Sequence, residues 1–262
     1  MGTILNRIVE QKEDEVENKR RAEPLKTLRS KAEGRTRKNL FQKAIGDDKI
    51  DLIAEIKPCS PSAGRITALA PEEIAAVYSR SLPAALSILT DEQFFGQGLD
   101  VLKKLRKKVS KPILRKDFII DPYQVYEAAA VGADAILLIA NILSPGKLEQ
   151  LHNLAHELQL ECLVEVHSKE EIETLPLSPP VLGINNRILE GDFSTDLSVT
   201  EELIEQVPED SLVVSESGIH DREDILRLHR AGGVEGVLVG TALLEDTKNT
   251  EEIVERIRSL II

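Results

Sequence analysis

The sequence predicts an α/β protein folded as a closed (β/α)8 barrel, and three observations predict it. From Asp51 onward, short aliphatic runs alternate with amphipathic stretches; there are eight such runs; and aromatic residues are only 3% of the chain, with no Trp. A core without large rings has to be built from Ile, Leu, Val and Ala, which favours the stacked aliphatic layers of a TIM barrel. Strand followed by helix, repeated, implies a parallel sheet buried on both faces. Eight repeats within residues 51–262 suit a closed barrel better than an open doubly wound sheet. No Walker A loop and no GxGxxG after a strand is present, and Gly96-Gln97-Gly98 alone does not make one.

The elements follow in order. Ile4, Leu5, Ile8, Val9 and Val16 fall at helical spacing beside Lys12, Glu13, Asp14 and Glu15, so the chain opens with an amphipathic helix. A basic connector from Lys26 to Lys38 and a short helix from Asn39 to Gly46 follow. Residues 1–50 cannot close a core of their own, and are expected to form a helical extension over the mouth of a barrel made by residues 51–262, one domain overall. The eight expected strands are Leu52 to Lys57, Ala84 to Leu89, Pro112 to Lys116, Ala135 to Ile139, Cys162 to Val166, Val181 to Ile184, Leu212 to Glu216 and Gly236 to Val239. Between them, Gln124 to Ala130, Lys147 to Leu158, Glu201 to Gln206, Glu223 to Ala231 and Glu251 to Leu260 repeat apolar residues every three or four positions, as helices do. Val131-Gly132-Ala133 and Ala231-Gly232-Gly233 place glycine where a helix gives way to the next strand.

Charge and composition exclude several functions. The chain has 33 Lys plus Arg against 45 Asp plus Glu, a net charge of −12, so it is a poor ligand for a phosphate backbone and no nucleic-acid partner is expected. Lys103, Lys104, Arg106, Lys107 and Lys108 read as a solvated basic face. Cys59 and Cys162 have neither metal nor disulfide-framework spacing, and His152, His156, His220 and His229 read as surface residues. No apolar run reaches the length of a membrane span and the N-terminus lacks a signal peptide's apolar segment, so a cytoplasmic protein without membrane contact is expected.

The chemistry gathers where barrels place it, at the C-terminal ends of the strands. The first run ends Glu55-Ile56-Lys57, and alternation puts Glu55 and Lys57 on one face, either as a poised acid–base pair or as a salt bridge capping the barrel. The third ends Arg115-Lys116-Asp117-Phe118; Lys116 at a partly dry mouth suits a general acid whose pKa burial lowers, unless both cations simply reach solvent. Glu165 lies between Val164 and Val166, costly unless paired. The sixth and seventh runs deliver Asn185, Asn186 and Arg187, then Glu216, Ser217 and Gly218. Ser60, Gly218, Gly240 and Thr241 offer small residues and hydroxyls where many barrels bind a phosphate.

These residues resemble the indole-3-glycerol phosphate synthase family from about Ile4 to Leu244. The resemblance rests on Ile53-Ala54-Glu55-Ile56-Lys57 with Ser60-Pro61-Ser62 and Gly64, Leu89-Thr90-Asp91-Glu92 with Phe94-Phe95, Lys116-Asp117-Phe118 through Gln124, Leu163-Val164-Glu165-Val166-His167, Gly183-Ile184-Asn185-Asn186-Arg187 and Val214-Ser215-Glu216-Ser217-Gly218-Ile219. It implies a lyase of tryptophan biosynthesis that closes and decarboxylates 1-(2-carboxyphenylamino)-1-deoxyribulose 5-phosphate. Lys116 would be the general acid, Glu165 its acid–base partner, Glu55 and Lys57 aids in positioning and dehydration, and Asn185, Arg187, Glu216 and Ser217 the polar lining. Ser60, Gly218, Gly240 and Thr241 would hold the phosphate, and Phe94, Phe95 and Phe118 the aromatic ring. No metal or organic cofactor is expected; association with other tryptophan-pathway enzymes is. The chain departs from the family at Pro58-Cys59, Ala63, Gln97-Gly98, Ile188 and Glu190-Gly191-Asp192, none of them a proposed acid or base. The alternatives are a phosphoribosylanthranilate isomerase-like barrel, which needs neither the leader helix nor Lys116 with Glu165, and a partner-binding paralogue without activity.

Overall fold

The computed structural model describes residues 4–33, 40–46, 49–60, 64–188 and 194–261. Each expected run is a strand: β1 (Asp51–Ile56), β2 (Ala85–Leu89), β3 (Ile113–Lys116), β4 (Ala135–Ile139), β5 (Glu161–Val166), β6 (Val181–Asn185), β7 (Leu212–Glu216) and β8 (Gly236–Val239). All eight pair in parallel, and β8 returns to β1 with Asp51 opposite Gly236, closing the barrel. Alternation puts Ile53, Leu114, Leu163 and Val214 in the interior, and the same parity carries Glu55, Lys116, Glu165 and Glu216 inward one step nearer the C-terminal rim. The opposite faces, with Leu52, Ala54, Ile56, Ile136 and Leu138, meet the surrounding helices in the larger apolar cluster.

The extension reaches both ends of this barrel. Helix α1 (Ile4–Ala22) lies at the C-terminal rim, where the Lys12 ammonium meets Asp91 Oδ2 (2.8 Å) after β2 and Asp117 Oδ1 (2.9 Å) after β3. Helix α3 (Leu40–Lys43) instead closes the other end. Phe41 and Ile45 join the interior cluster, and the Glu161 carboxylate at the start of β5 accepts the backbone N–H groups of Phe41 (2.8 Å) and Gln42 (2.7 Å). Gly236 makes this closure possible, since a Cβ there would stand 2.6 Å from Ile45 Cγ2.

Three sequence expectations need correction here. Part of the expected basic connector is a helix, α2 (Leu25–Ala32): Leu28 and Ala32 are buried, while the Arg29 guanidinium lies 5.2 Å from the Tyr126 ring centre. The rest of that connector and Asn39 lie outside the described residues. In the basic helix Leu99–Arg106, Lys103 and Lys104 are exposed, but Arg106 turns inward to Asp134 Oδ2 (2.7 Å) and the Lys111 carbonyl (3.0 Å), tying together the chain around β3 and β4. His156, His220 and His229 are exposed, whereas His152 is half-buried. No described helix is long and apolar enough to cross a membrane.

Candidate active site

Four strands converge on one charged hollow at the C-terminal rim. Lys116, at the end of β3, sends its Nζ to Glu216 Oε2 of β7 (2.8 Å) and to Glu165 Oε2 of β5 (3.3 Å). Beside them, Lys57 Nζ lies 3.1 Å from Glu55 Oε2. The three carboxylates are buried, and the two lysines keep some access to the mouth. Three acids therefore face two cations. Glu55 Oε1 and Glu216 Oε1 are buried without a hydrogen-bond partner among the described residues.

Glycines make the crowding possible. A Cβ at Gly183 on β6 would stand 2.3 Å from Glu216 Oε1, and one at Gly240 would stand 2.4 Å from Glu55 Oε2. Both positions accept carboxylates where any side chain would expel them. Asn186, fully buried, braces the next layer: its amide nitrogen donates to Ser215 Oγ (2.9 Å) and to the carbonyls of Glu216 and Ser217 (3.0 Å each), and its oxygen accepts from Thr200 Oγ1 (2.7 Å). This clamp holds Ser217 and Gly218 in consecutive left-handed conformations, φ 66° and 74°; for Ser217 that is a strained backbone, of the kind that collects at functional sites.

Burial and mutual repulsion set the ionisation. Burial, helped by Glu165 and Glu55 and opposed by Lys116, pushes the Glu216 carboxyl up to about 7. Glu165 goes the other way, because Lys116, His167 and a hydrogen bond from Asn185 outweigh its burial. For Lys116, burial disfavours the ammonium, yet the carboxylates of Glu216, Glu165 and Glu55 prevail and hold its pKa above the ordinary lysine value. This corrects the expectation that burial alone tunes that lysine downward. Acids with pKa values pushed apart around one cation can share and pass a proton.

Not every expected residue joins this hollow. Asn185 does, through its hydrogen bond to Glu165, and at the end of β6 its Oδ1 accepts the Arg187 backbone N–H (3.1 Å). Phe95 and Phe118 come together with ring centres 6.3 Å apart, and Phe118 packs on the interior cluster; Phe94 contributes its N–H to Asp91 (2.7 Å). Ser60 pairs with Gly64 in a short antiparallel ladder, and Gly240 with Thr241 opens the short helix Thr241–Leu244. Pro61, Ser62, Ala63 and Glu190-Gly191-Asp192 lie outside the described residues. The departures at Cys59 and Gln97 fall in ordered contacts: a Cβ at Gly96 would be 2.8 Å from Cys59 Sγ, and Gln97 donates to the Leu89 carbonyl (2.7 Å). Ile188 is exposed.

Sequence reasoning missed two participants in the hollow and misplaced one neighbouring cation. His167 continues β5 beyond Glu165 with Nε2 3.5 Å from Glu165 Oε1; its position two residues on, on the same face, was the available signal. Gly183 carries no signal until its neighbour is known. Arg115 proves to be fully buried in a second ionic cluster, bonded to Asp117 (2.9 Å), Glu127 (3.1 Å) and the Gln124 carbonyl (2.7 Å), so it does not reach solvent. Among the described residues no group of three or more His, Cys, Asp or Glu side chains is arranged to hold a metal ion.

Comparison with known proteins places the chain. The family model for indole-3-glycerol phosphate synthase matches residues 5–257. The indole-3-glycerol phosphate synthase of Burkholderia multivorans is 42% identical over 260 residues, 97% of this chain and 98% of that one. That of Dehalococcoides mccartyi strain CBDB1 is 50% identical over 200 residues, 74% and 76% of the two chains. Among solved structures, a mutant tryptophan synthase alpha-subunit from Pyrococcus furiosus aligns with a TM-score of 0.59 at 16% identity, covering 80% of this chain and 97% of that one, a likeness of fold alone. With the barrel, the rim residues and the near full-length match together, the chain belongs to the indole-3-glycerol phosphate synthase family.

Proposed function

We propose that this protein converts 1-(2-carboxyphenylamino)-1-deoxyribulose 5-phosphate into indole-3-glycerol phosphate, carbon dioxide and water. One observation carries the reading: a lysine ammonium held between two buried carboxylates at a barrel mouth, with a second lysine–glutamate pair beside it. The ring carbon bearing the carboxylate attacks the substrate ketone, and negative charge grows on the ketone oxygen. Lys116 donates first a hydrogen bond and then its proton, because an alkoxide is far more basic than an amine. Loss of carbon dioxide restores the aromatic ring. The new hydroxyl then leaves as water, with Lys57 as the proton donor, while a proton on the neighbouring CH2 passes to a carboxylate of the site.

Glu165 and Glu216 restore the proton on Lys116, which their contact distances support. Glu55 holds Lys57 toward the mouth. Asn185, Arg187 and Ser217 complete the lining. The substrate phosphate is bound by Ser60, Gly218, Gly240 and Thr241, through hydroxyls and backbone N–H groups that small residues leave accessible. Phe95 and Phe118 flank the substrate ring, and Phe94 adds to that apolar edge. The test is direct: incubate the purified chain with the substrate and follow the fluorescence of the indole product. Its appearance with matching carbon dioxide release supports the reading, and unchanged substrate refutes it.

A further inference from the structure

The reaction proposed above has a proton balance that constrains the site. The ketone oxygen gains one proton, the departing hydroxyl gains a second, and the CH2 group gives one back. The substrate carboxylate leaves as neutral carbon dioxide. One proton is therefore taken from solvent in every turnover. The acids around Lys116 are buried, and a substrate seated at the mouth covers the little access Lys116 has, so a lateral entry would let the replacement proton arrive while substrate is bound.

We propose that His167 and Glu171 form that entry, a side path that carries protons from solvent to Glu165 and on to Lys116; the proposal rests on the reaction assigned above. His167 bridges two acids. Its Nε2 lies 3.5 Å from Glu165 Oε1, and its Nδ1 lies 3.6 Å from Glu171 Oε2. Nδ1 is buried and has no hydrogen-bond partner among the described residues, so it is aimed at Glu171 without being spent elsewhere. Glu171 is partly exposed and firmly held: its Oε2 accepts the His167 backbone N–H (2.8 Å) and its Oε1 accepts from the exposed Asn141 amide (2.8 Å). Beyond Glu165, the next gap is 3.3 Å to Lys116.

The gaps at His167 exceed a direct hydrogen bond by a few tenths of an ångström, which a small ring rotation closes. In the transfer, the His167 imidazolium releases its Nε2 proton to Glu165, and the neutral ring is then reloaded by a proton from solvent that passes the Glu171 carboxylate, which, despite its partial burial, bonds to His167 and Asn141 hold below the ordinary glutamate value. Tautomer exchange in the neutral ring returns the Nε2 proton for the next turnover. Four groups face His167 or lie just beyond: Glu165 on β5, Glu171 on the helix Lys169–Glu173, Lys116 on β3 and Glu216 on β7. Burial penalises the imidazolium, but Glu171, Glu165 and Glu216 more than offset it and raise the His167 pKa above the ordinary imidazole value, which favours the protonated ring.

The test is His167→Ala and Glu171→Gln in the full chain, assayed with 1-(2-carboxyphenylamino)-1-deoxyribulose 5-phosphate with and without added imidazole. Loss of the relay lowers kcat about ten- to a hundredfold in H167A. KM stays within about twofold, because the relay acts on the substrate only through Glu165 and Lys116. Imidazole, entering the vacated space, restores part of the H167A rate in a saturable way, a response that a purely structural role would not give. E171Q keeps the ring in place and loses severalfold in kcat, so the proposal remains testable if H167A folds poorly. A parent rate and parent pH profile in both variants overturns the relay, as does an H167A loss that imidazole leaves unchanged. If the parent chain turns over substrate, these outcomes judge the relay alone; if it does not, the assigned reaction falls and takes the relay with it.

Discussion

Arg115 and Lys116 are neighbours on β3, both cations drawn out of solvent, yet they serve opposite purposes because a strand turns successive side chains to opposite faces. Arg115 points outward into a closed ionic cluster. Its guanidinium binds Asp117, Glu127, Thr90 and the Gln124 carbonyl, and Lys12 reaches in from α1 to pair with Asp91 and Asp117. There the cations win: burial pushes Asp117 up, and Arg115 with Lys12 pulls it below the ordinary aspartate value. Lys116 points inward, to a hollow with two orphaned carboxylate oxygens and a glutamate pushed up to about 7. Acids that their cations hold ionised make a joint, and an acid that burial and like charge push toward protonation makes a reagent.

The comparison breaks most easily at Lys116. Lys116→Ala lowers kcat by roughly a thousandfold while thermal unfolding stays close to the parent, since Glu165 and Glu216 can take up protons in its absence. Steady-state fluorescence assays and circular dichroism read both quantities. Lys12→Met should show the mirror image. It strands buried Asp91 and leaves Asp117 with Arg115 as its remaining cation, costing about 3 kcal/mol in urea unfolding with kcat of the folded protein within a fewfold of the parent. A large kcat loss in this variant at full folding would merge the two clusters into one machine.

Glu216→Gln sharpens the contrast through pH. A carboxyl raised from 4.5 to about 7 on folding stays protonated in the native state after the unfolded chain has released its proton. Its contribution is thus fully present below pH 4.5 and lost as pH rises toward 7. Relative to the parent, E216Q gains about 3 kcal/mol across that window, read as the pH dependence of the difference in unfolding free energy. Gly183→Ala has the smallest effect. Its methyl group displaces the Glu216 carboxylate, and kcat falls about tenfold with little change in unfolding.

The sequence exposed what depends on local pattern. Eight aliphatic runs of the right length became eight strands, and two-residue alternation correctly set Glu55 beside Lys57. It hid what depends on distant partners. Lys12 looks like any solvated lysine of an amphipathic helix until β2 and β3 bring Asp91 and Asp117 to it. Leu25, Leu28 and Ala32 have helical spacing, but among Lys26, Arg29 and Lys31 that signal is drowned by charge. The placement of α3 at the far end of the barrel could not be read from its four residues, since the deciding features are Glu161, which caps it, and Gly236, which leaves room for it. The rim acids were legible by type and strand end, whereas their opposed ionisation follows from distances no sequence prints.

The most direct measurement is a carbon-13 NMR titration of the glutamate carboxyl groups, with the Glu216 signal assigned by its disappearance in E216Q. A carboxyl that titrates at about 7 in the parent would establish the acid-rich hollow as a proton-transfer centre. One that titrates at or below the ordinary 4.5 would make it a second structural joint like the one around Arg115, and the account would fail.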